Sequence, residues 1–334
     1  MSSKTDELNA LIRNRAERIL EKFGQVAISQ VRDSRLLAAL EEVKCYWRDF
    51  NRPTLTCLSC EAVGGDPRIA EGAGLMFTLA SAGFGIHDDI LDRSSHKYLR
   101  KTILGLHGID TALLVGDLFI VKAWTIGQEM FRETSNASKI ADVLKTYGSL
   151  SVEICEAEFM ETLCRRKVDT KLNYYENILW KEMAETEVCC RIGAMIGNGT
   201  TSEVEALSEF GRRIGFVSRL TNEVEDCLNI KGDLLHRVEY ESLPLPILYA
   251  AQYSPQNYVK IGKILAKKHM VPQDAKSLLK LCFETEAFEY VRRLAQKNEA
   301  EATCLLGSIG SGKAREALIL LIESSYAHLA SLCI

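Results

Sequence analysis

The sequence predicts an all-α protein folded as one domain over residues 1–334, and three observations carry that prediction. All six prolines lie at or before Pro67 or at or after Pro244, so a long middle stretch is free of the residue that most disrupts helices. Within that stretch apolar residues recur at spacings of three and four, the period of a helix with one buried face. Strand-like alternation is essentially absent. The interruptions "GGDPR" (64–68), "ETSNASK" (133–139), "GNGTTSE" (197–203), "YSPQN" (253–257) and "MVPQD" (270–274) are turn formers and helix N-cap residues. None is long or biased enough to be a linker, so a single bundle of about ten helices or more is expected. The segment up to about Lys22 reads as a charged amphipathic helix on the outside.

Composition narrows the function. A hydrophobic content of 47% and a charged content of 26% are those of an ordinary soluble globular protein, and no signal-like N-terminus or long uncharged span is evident. A cytoplasmic location is the expectation. A formal net charge of -4 argues against general affinity for nucleic acid or for an anionic membrane. The eleven cysteines lie mostly in apolar helical patterns such as "EVCCRIGAMIG" and read as small buried hydrophobes. Cys57 and Cys60 form a CxxC, but no second pair or histidine cluster accompanies them. "GSIGSGKA" (307–314) approaches a phosphate-binding loop. Ala314 lacks the metal-holding hydroxyl and no strand precedes it, so it reads as a turn.

The chemistry concentrates in "FGIHDDILDRSSHKY" (84–98). On a helix, Asp88 and Asp92 share a face with Asp89 one position round. Left alone, such charges repel; here the apolar run "GAGLMFTLASAGFGI" leads directly into them. Carboxylates at that spacing suit Mg²⁺, which keeps waters and takes phosphate oxygens as further ligands. A second acidic helix, "RLTNEVEDCLNIKGD", repeats the spacing at Asn222 and Asp226, flanked by Glu223 and Glu225. Two such faces around an apolar bundle would clamp a magnesium cluster and a diphosphate and stabilise charge on a departing diphosphate.

With these residues in place, the chain resembles the polyprenyl synthetase family of trans-isoprenyl diphosphate synthases over most of its length. "HDDILD" resembles that family's first aspartate-rich motif, and "LLVGDLFIVKAW", with Gly116 and Asp117, its Gly-Asp helix. "KEMAETEVCCRIGAMIG" places Lys181 at the family's lysine and Glu182 at its threonine. "IGFVSRLTNEVEDCLNIKGD" falls at the second aspartate-rich motif, and "LPLPILYA" at the helix that follows. The resemblance implies a class I isoprenoid synthase bundle around a deep apolar cavity, usually a homodimer, with three Mg²⁺ ions ionising an allylic diphosphate. Metal ligands on this reading are Asp88, Asp89, Asp92, Asn222, Glu223 and Asp226. Arg52, Lys97 and Lys181 would bind substrate.

Departures from the family cluster on the site of the homoallylic substrate, isopentenyl diphosphate. Asp49 stands where the family has lysine, Ser81 where it has His or Gln, and Tyr98 where it has the second arginine. An aspartate for a lysine changes the local charge by two units, which costs a diphosphate several kcal/mol at about 4 Å and an effective dielectric of about 20. Arg219, where the family has Gln, either contacts the diphosphate or pairs with Glu223. The second motif is nearer in type to that of terpene synthases, and the lysine that ends its loop is replaced by "EYES", with Lys231 as a partial substitute.

On this pattern the leading expectation is a terpene synthase or cyclase-like enzyme that ionises a C15–C20 allylic diphosphate and quenches the cation internally. Phe77, Phe84, Phe119, Trp124 and Tyr174 are its candidate cavity walls. Phe84 would close the floor one turn below the metals, with Gly83 and Gly85 leaving room beside it. The first alternative is a chain-elongating trans-prenyltransferase of the farnesyl or geranylgeranyl diphosphate type, in which Arg52, Arg48 and Lys44 rebuild the second site. The second is a non-catalytic partner subunit that pairs with an active synthase.

Overall fold

A computed structural model of the chain describes the backbone of residues 2–97, 100–133, 137–230, 232–267 and 269–333, and side chains over 10–97, 100–130, 139–230, 232–267 and 269–333. Tyr98 and Lys231 lie outside the described residues, as does part of the break at 133–139. The helices are α1 Ser2–Ile28, α2 Ser34–Tyr46, α3 Asn51–Ala62, α4 Glu71–Leu91, α5 Ile103–His107, α6 Ile109–Glu133, α7 Ala137–Thr162 and α8 Leu172–Glu182. They continue as α9 Ala184–Ile196, α10 Thr201–Leu228, α11 Asp233–Tyr240, α12 Leu245–Tyr253, α13 Pro255–Leu265, α14 Pro272–Glu284, α15 Ala287–Leu305 and α16 Lys313–Leu332. Among the described residues the extended elements are the two-residue strands β1 His96–Lys97 and β2 Arg100–Lys101, antiparallel, with Lys97 opposite Arg100. The protein is therefore all-α, as its periodicity predicts.

The described residues gather into two compact units, each of non-contiguous chain. One comprises Met1–Ser149, Thr186–Gly211 and Leu305–Leu320; the other comprises Leu150–Glu185, Arg212–Cys304 and Leu321–Ile334.

In the first unit α4 is the central element and packs chiefly on α6, α3 and α1. Leu75, Met76, Phe77 and Leu79 are buried along it, each contributing on the order of 1.5–3 kcal/mol relative to exposure. Its approach to α6 depends on glycine: a Cβ on Gly83 would lie 2.8 Å from the Gly116 carbonyl oxygen, and one on Gly116 would lie 2.4 Å from the His87 ring. The stretch Pro67–Leu91 is long and apolar enough to cross a membrane, yet 72% of its apolar window is buried within the protein, as in a core helix.

The N-terminal helix is more internal than its charge suggests. It runs to Ile28 and buries Ala16, Ile19, Phe23 and Ala27 at its three-and-four spacing, so only its other face is exterior. Cys57 and Cys60 sit in α3, buried, and desolvation pushes their thiols up to about 12 and about 11. Such thiols are packing groups, not thiolate ligands at neutral pH. Gly307 and Ser308 belong to a single 3₁₀ turn, Leu306–Ser308, that precedes α16.

In the second unit α12 packs on α13, α14 and α8, and α11 packs on α14. Pro255 and Pro272 open α13 and α14 at their first positions, where a missing backbone N–H costs nothing.

Candidate functional site

The first acidic motif closes α4. Asp92 is the residue that caps the helix, its backbone N–H donating to the Asp88 carbonyl. Asp88 and Asp92 are half-buried whereas Asp89 is buried, so the three carboxylates are not equivalent. The β1–β2 ribbon lays Lys97 over them: its Nζ stands 3.2 Å from Asp88 Oδ2 and 2.8 Å from Asp89 Oδ1. Burial opposes the ammonium charge, but the two carboxylates outweigh it and raise the Lys97 pKa; burial raises that of Asp89, with Lys97 opposing. The Gly-Asp helix contributes Asp117, 3.3 Å from His87 Nε2, and the same nitrogen lies 3.3 Å from the Leu113 carbonyl oxygen. Two half-buried carboxylates one turn apart, beside a lysine, fit Mg²⁺ with phosphate oxygens completing its shell.

Asp49 has a different environment from the one its type suggests. Its carboxylate accepts from the backbone N–H groups of Asn51 and Arg52 at the start of α3, and from the Arg52 guanidinium at 3.1 Å and the Ser81 hydroxyl at 3.3 Å. The charge is thus spent inside the protein, on a helix N-terminus and an arginine. The expected repulsion of a second diphosphate is corrected accordingly. Lys44 is 3.0 Å from Glu41, while Arg48 is exposed and donates to the carbonyls of Lys44 and Trp47. Sequence reasoning missed Arg100. It faces Lys97 across the ribbon and its guanidinium lies 3.3 Å from the Tyr46 ring centroid. Its signal was the "RK" two residues past Tyr98, visible only once the pairing of β1 with β2 is known.

The expected aromatic walls are mostly packing. Phe119 is fully buried and stacks on Phe23 at 5.7 Å; Phe77 contacts Tyr147 at 6.0 Å, and Trp124 meets Tyr147 edge-on at 5.1 Å. Tyr174 is exposed. Phe84 is half-buried. Gly83 and Gly85 do not leave room beside it: Gly83 abuts α6, and a Cβ on Gly85 would lie 3.1 Å from Trp47.

The second acidic motif, in the other unit, departs most from expectation. Glu223 is wholly buried. Its Oε1 faces the Arg219 and Arg237 guanidinium groups at 2.9 and 2.8 Å, and its Oε2 accepts from the Leu245 backbone N–H at 2.6 Å. Asp226 Oδ2 accepts from Arg237 at 2.7 Å. Arg237 also donates to the Tyr175 hydroxyl oxygen at 3.0 Å and lies 3.3 Å from Glu241. Burial would raise the Glu223 pKa, but Arg237, Arg219 and the Leu245 amide hold it below the usual carboxylate range. Asn222 is exposed, and Glu225 meets His328 at 3.0 Å. The expectation that Glu223 ligates metal is therefore corrected, while Asp226 is half-buried with its Oδ2 held by Arg237. A divalent ion on Asp226 would stand about 5 Å from the Arg237 guanidinium, a repulsion of roughly 7 kcal/mol from that group alone at an effective dielectric of about 20.

Arg219 resolves its two sequence readings toward pairing, since its Nε also donates to Glu182 Oε2 at 2.7 Å. Glu182 is pushed up to about 7 by burial, with Arg219 opposing and Glu161 adding. Lys181 turns to Glu156 at 3.1 Å. Carboxylate oxygens of Glu158, Glu161 and Glu182 lie within 4.8 Å of one another. Glu182 is engaged by Arg219, and Glu161 by the Ser242 hydroxyl at 2.5 Å. Arg237 escaped the sequence reading because it sits in the short helix "DLLHRVEY"; its place beside Leu234 and Val238 on the buried face was the available signal.

Removing Arg237 takes one of its two arginines from the buried Glu223 and the arginine that holds Asp226. Arg237→Gln is expected to lower the free energy of unfolding in urea by about 3–5 kcal/mol. A loss under about 1 kcal/mol would contradict the network's weight.

Comparison with known proteins agrees with this architecture. The polyprenyl synthetase family profile matches residues 49–282. A short chain isoprenyl diphosphate synthase of Methanothermobacter thermautotrophicus is 29% identical over 224 residues, 65% of this chain and 68% of its own. A geranylgeranyl diphosphate synthase of Methanosarcina mazei is 29% identical over 254 residues, 73% of this chain and 74% of its own. The crystal structure of geranylgeranyl pyrophosphate synthetase from Pyrococcus horikoshii superposes with a TM-score of 0.85, covering 97% of this chain and 99% of that one at 24% identity, a likeness of fold. With its first aspartate-rich motif, its Gly-Asp helix and a family match across most of its length, the chain belongs to the polyprenyl synthetase family.

Proposed function

We propose that the protein is a Mg²⁺-dependent trans-prenyltransferase of the farnesyl or geranylgeranyl diphosphate type, joining an allylic diphosphate to isopentenyl diphosphate. The observation that carries this reading is the cation-and-carboxylate surface of the first unit, where Asp88, Asp89, Asp92, Lys97 and Arg100 share the end of α4 and the ribbon that covers it. Relatives whose names are those of diphosphate synthases support elongation over the cyclase-like reading, which the comparisons do not favour. Of the departures behind the cyclase reading, Asp49 loses its weight because its charge is offset internally.

In this mechanism Asp88 and Asp92 would hold Mg²⁺, which would supply positive charge against a departing diphosphate. Lys97 orients the same diphosphate from the ribbon while keeping the Asp88–Asp89 pair from repelling. Arg52 and Arg100 present guanidinium groups, the side chain best suited to phosphate, to the second substrate. Arg100 takes the role that the sequence reading gave to the position of Tyr98. The buried stretch of α4 supplies apolar surface that excludes water from a reactive allylic cation.

The apolar residues Ile109, Leu113, Leu114 and Val121, all exposed on α6, support pairing of two copies of the chain. A sedimentation mass of two chains is the expected result, and one chain at micromolar concentration would contradict it.

Asp88→Asn and Asp92→Asn are each expected to lower Mg²⁺-dependent turnover by about 100-fold or more. Near-normal rates would sink the metal assignment. Arg100→Ala is expected to raise KM for isopentenyl diphosphate by about 10-fold or more, the worth of one charge-assisted hydrogen bond, while KM for the allylic substrate stays within about twofold. A change in the allylic KM alone would contradict the assignment.

A further inference from the structure

We infer that α13 and α14 form a surface that docks on an anionic lipid bilayer. The stretch from Tyr253 to Phe283 contains six lysines, one aspartate and neither arginine nor glutamate, a net charge of +5 in a chain whose total is -4. A negative chain thus carries one strongly positive segment. Its single acidic residue does not oppose the lysines from the surface: Asp274 is buried in the first turn of α14, where its carboxylate takes the Lys267 ammonium at 2.5 Å and the Val271 backbone N–H at 3.1 Å. Lys260, Lys263 and Lys276 are exposed and, among the described residues, pair with no carboxylate. Lys280 meets Glu284 at 3.6 Å on an exposed face, where such pairs are weak.

Apolar side chains share this surface with the lysines. α13 and α14 pack on α12 and on each other, burying Ile261 and Leu265 on one and Leu278 and Cys282 on the other, so their opposite faces are left to solvent. On α13, Val259 and Lys263 are exposed one turn apart; on α14, Lys276, Leu279, Lys280, Phe283 and Glu284 line an open groove of about 400 Å³. Tyr253 ends α12, Tyr258 lies in the first turn of α13 and Val271 precedes α14, and all three are exposed. Rings and aliphatic groups set among lysines suit a helix lying in the headgroup layer: the apolar groups enter the acyl boundary while the lysine stems run along them and carry their ammonium groups to lipid phosphates. Other partners fit this composition less well. Protein interfaces are depleted in lysine, and nucleic-acid sites favour arginine, which the stretch lacks. The inference does not rest on the proposed reaction, although a bilayer is where the hydrocarbon chain of its product dissolves.

The test is co-sedimentation of the full-length protein with vesicles of phosphatidylcholine alone and of phosphatidylcholine with about 30% phosphatidylglycerol, at low and high salt. Binding to the anionic vesicles is expected to be at least about 10-fold tighter than to the neutral ones and to weaken as salt rises. Lys263→Gln with Lys276→Gln, one change on each helix, is expected to weaken it by about 10-fold or more. Phe283→Ser is expected to weaken it by about 5-fold or more. All three positions are exposed, so the variants should melt close to the native protein. Equal binding to the two kinds of vesicle, binding to neither, or unchanged binding in either variant would overturn the inference. Binding to RNA without binding to vesicles would overturn it in favour of a general polyanion site.

Discussion

The structure depends on burying α4 against α6 up to a charged end. Residues 73–83 of α4 are buried without a charge among them, and five residues later the same helix carries Asp88 and Asp89. Both demands are met because Gly83 and Gly116 let the helices approach until backbone meets side chain. That approach fixes the rotation of α4, and the rotation decides which carboxylates emerge. Asp89 turns inward and Asp88 and Asp92 remain half-buried, a difference that spacing alone does not reveal. The ribbon after α4 supplies Lys97, so the like charges at the helix end are held together at a tolerable cost.

Neutralisation by arginine solves the same problem in the other unit, with a different outcome. There the carboxylates face inward, where an unpaired charge is far more costly, and Arg219 and Arg237 answer Glu223, Asp226 and Glu182. Glu182 is instructive because burial outweighs its arginine and leaves its pKa near the neutral range, raised to about 7. A network this enclosed stabilises a fixed arrangement of helices; it has little left to offer an exchangeable ion. Both acidic motifs are thus answered by basic side chains, Lys97 in the first and Arg219 and Arg237 in the second, and they differ in that Glu223 is wholly enclosed.

Much of the fold was legible from periodicity, because a helix with one apolar face writes its burial into the chain at three and four spacings. Proline and N-cap residues likewise marked the starts of α13 and α14 where the structure has them. The acidic end of α4 was legible as a local charge cluster too, and Lys97 lies beside Asp88 and Asp89 there. Asp49 and Glu223 were not. Each was assigned a function from its charge, yet Asp49 is answered by Arg52 and the N–H groups that open α3, and Glu223 by Arg219, Arg237 and the Leu245 N–H 22 positions on, pairings that charge alone does not announce. Arg100 was obscured for a related reason. A two-residue strand has no periodicity, and only the ribbon register brings Arg100 opposite Lys97.

The central claim is that the first unit both ionises an allylic diphosphate and receives a second diphosphate. The direct measurement is diphosphate release from geranyl, farnesyl and geranylgeranyl diphosphates with Mg²⁺, with and without isopentenyl diphosphate, alongside analysis of the organic-phase products. Release that requires isopentenyl diphosphate and yields a diphosphate five carbons longer is the predicted result. Release without it, yielding a hydrocarbon or an alcohol, would contradict the account and return the protein to the cyclase-like reading.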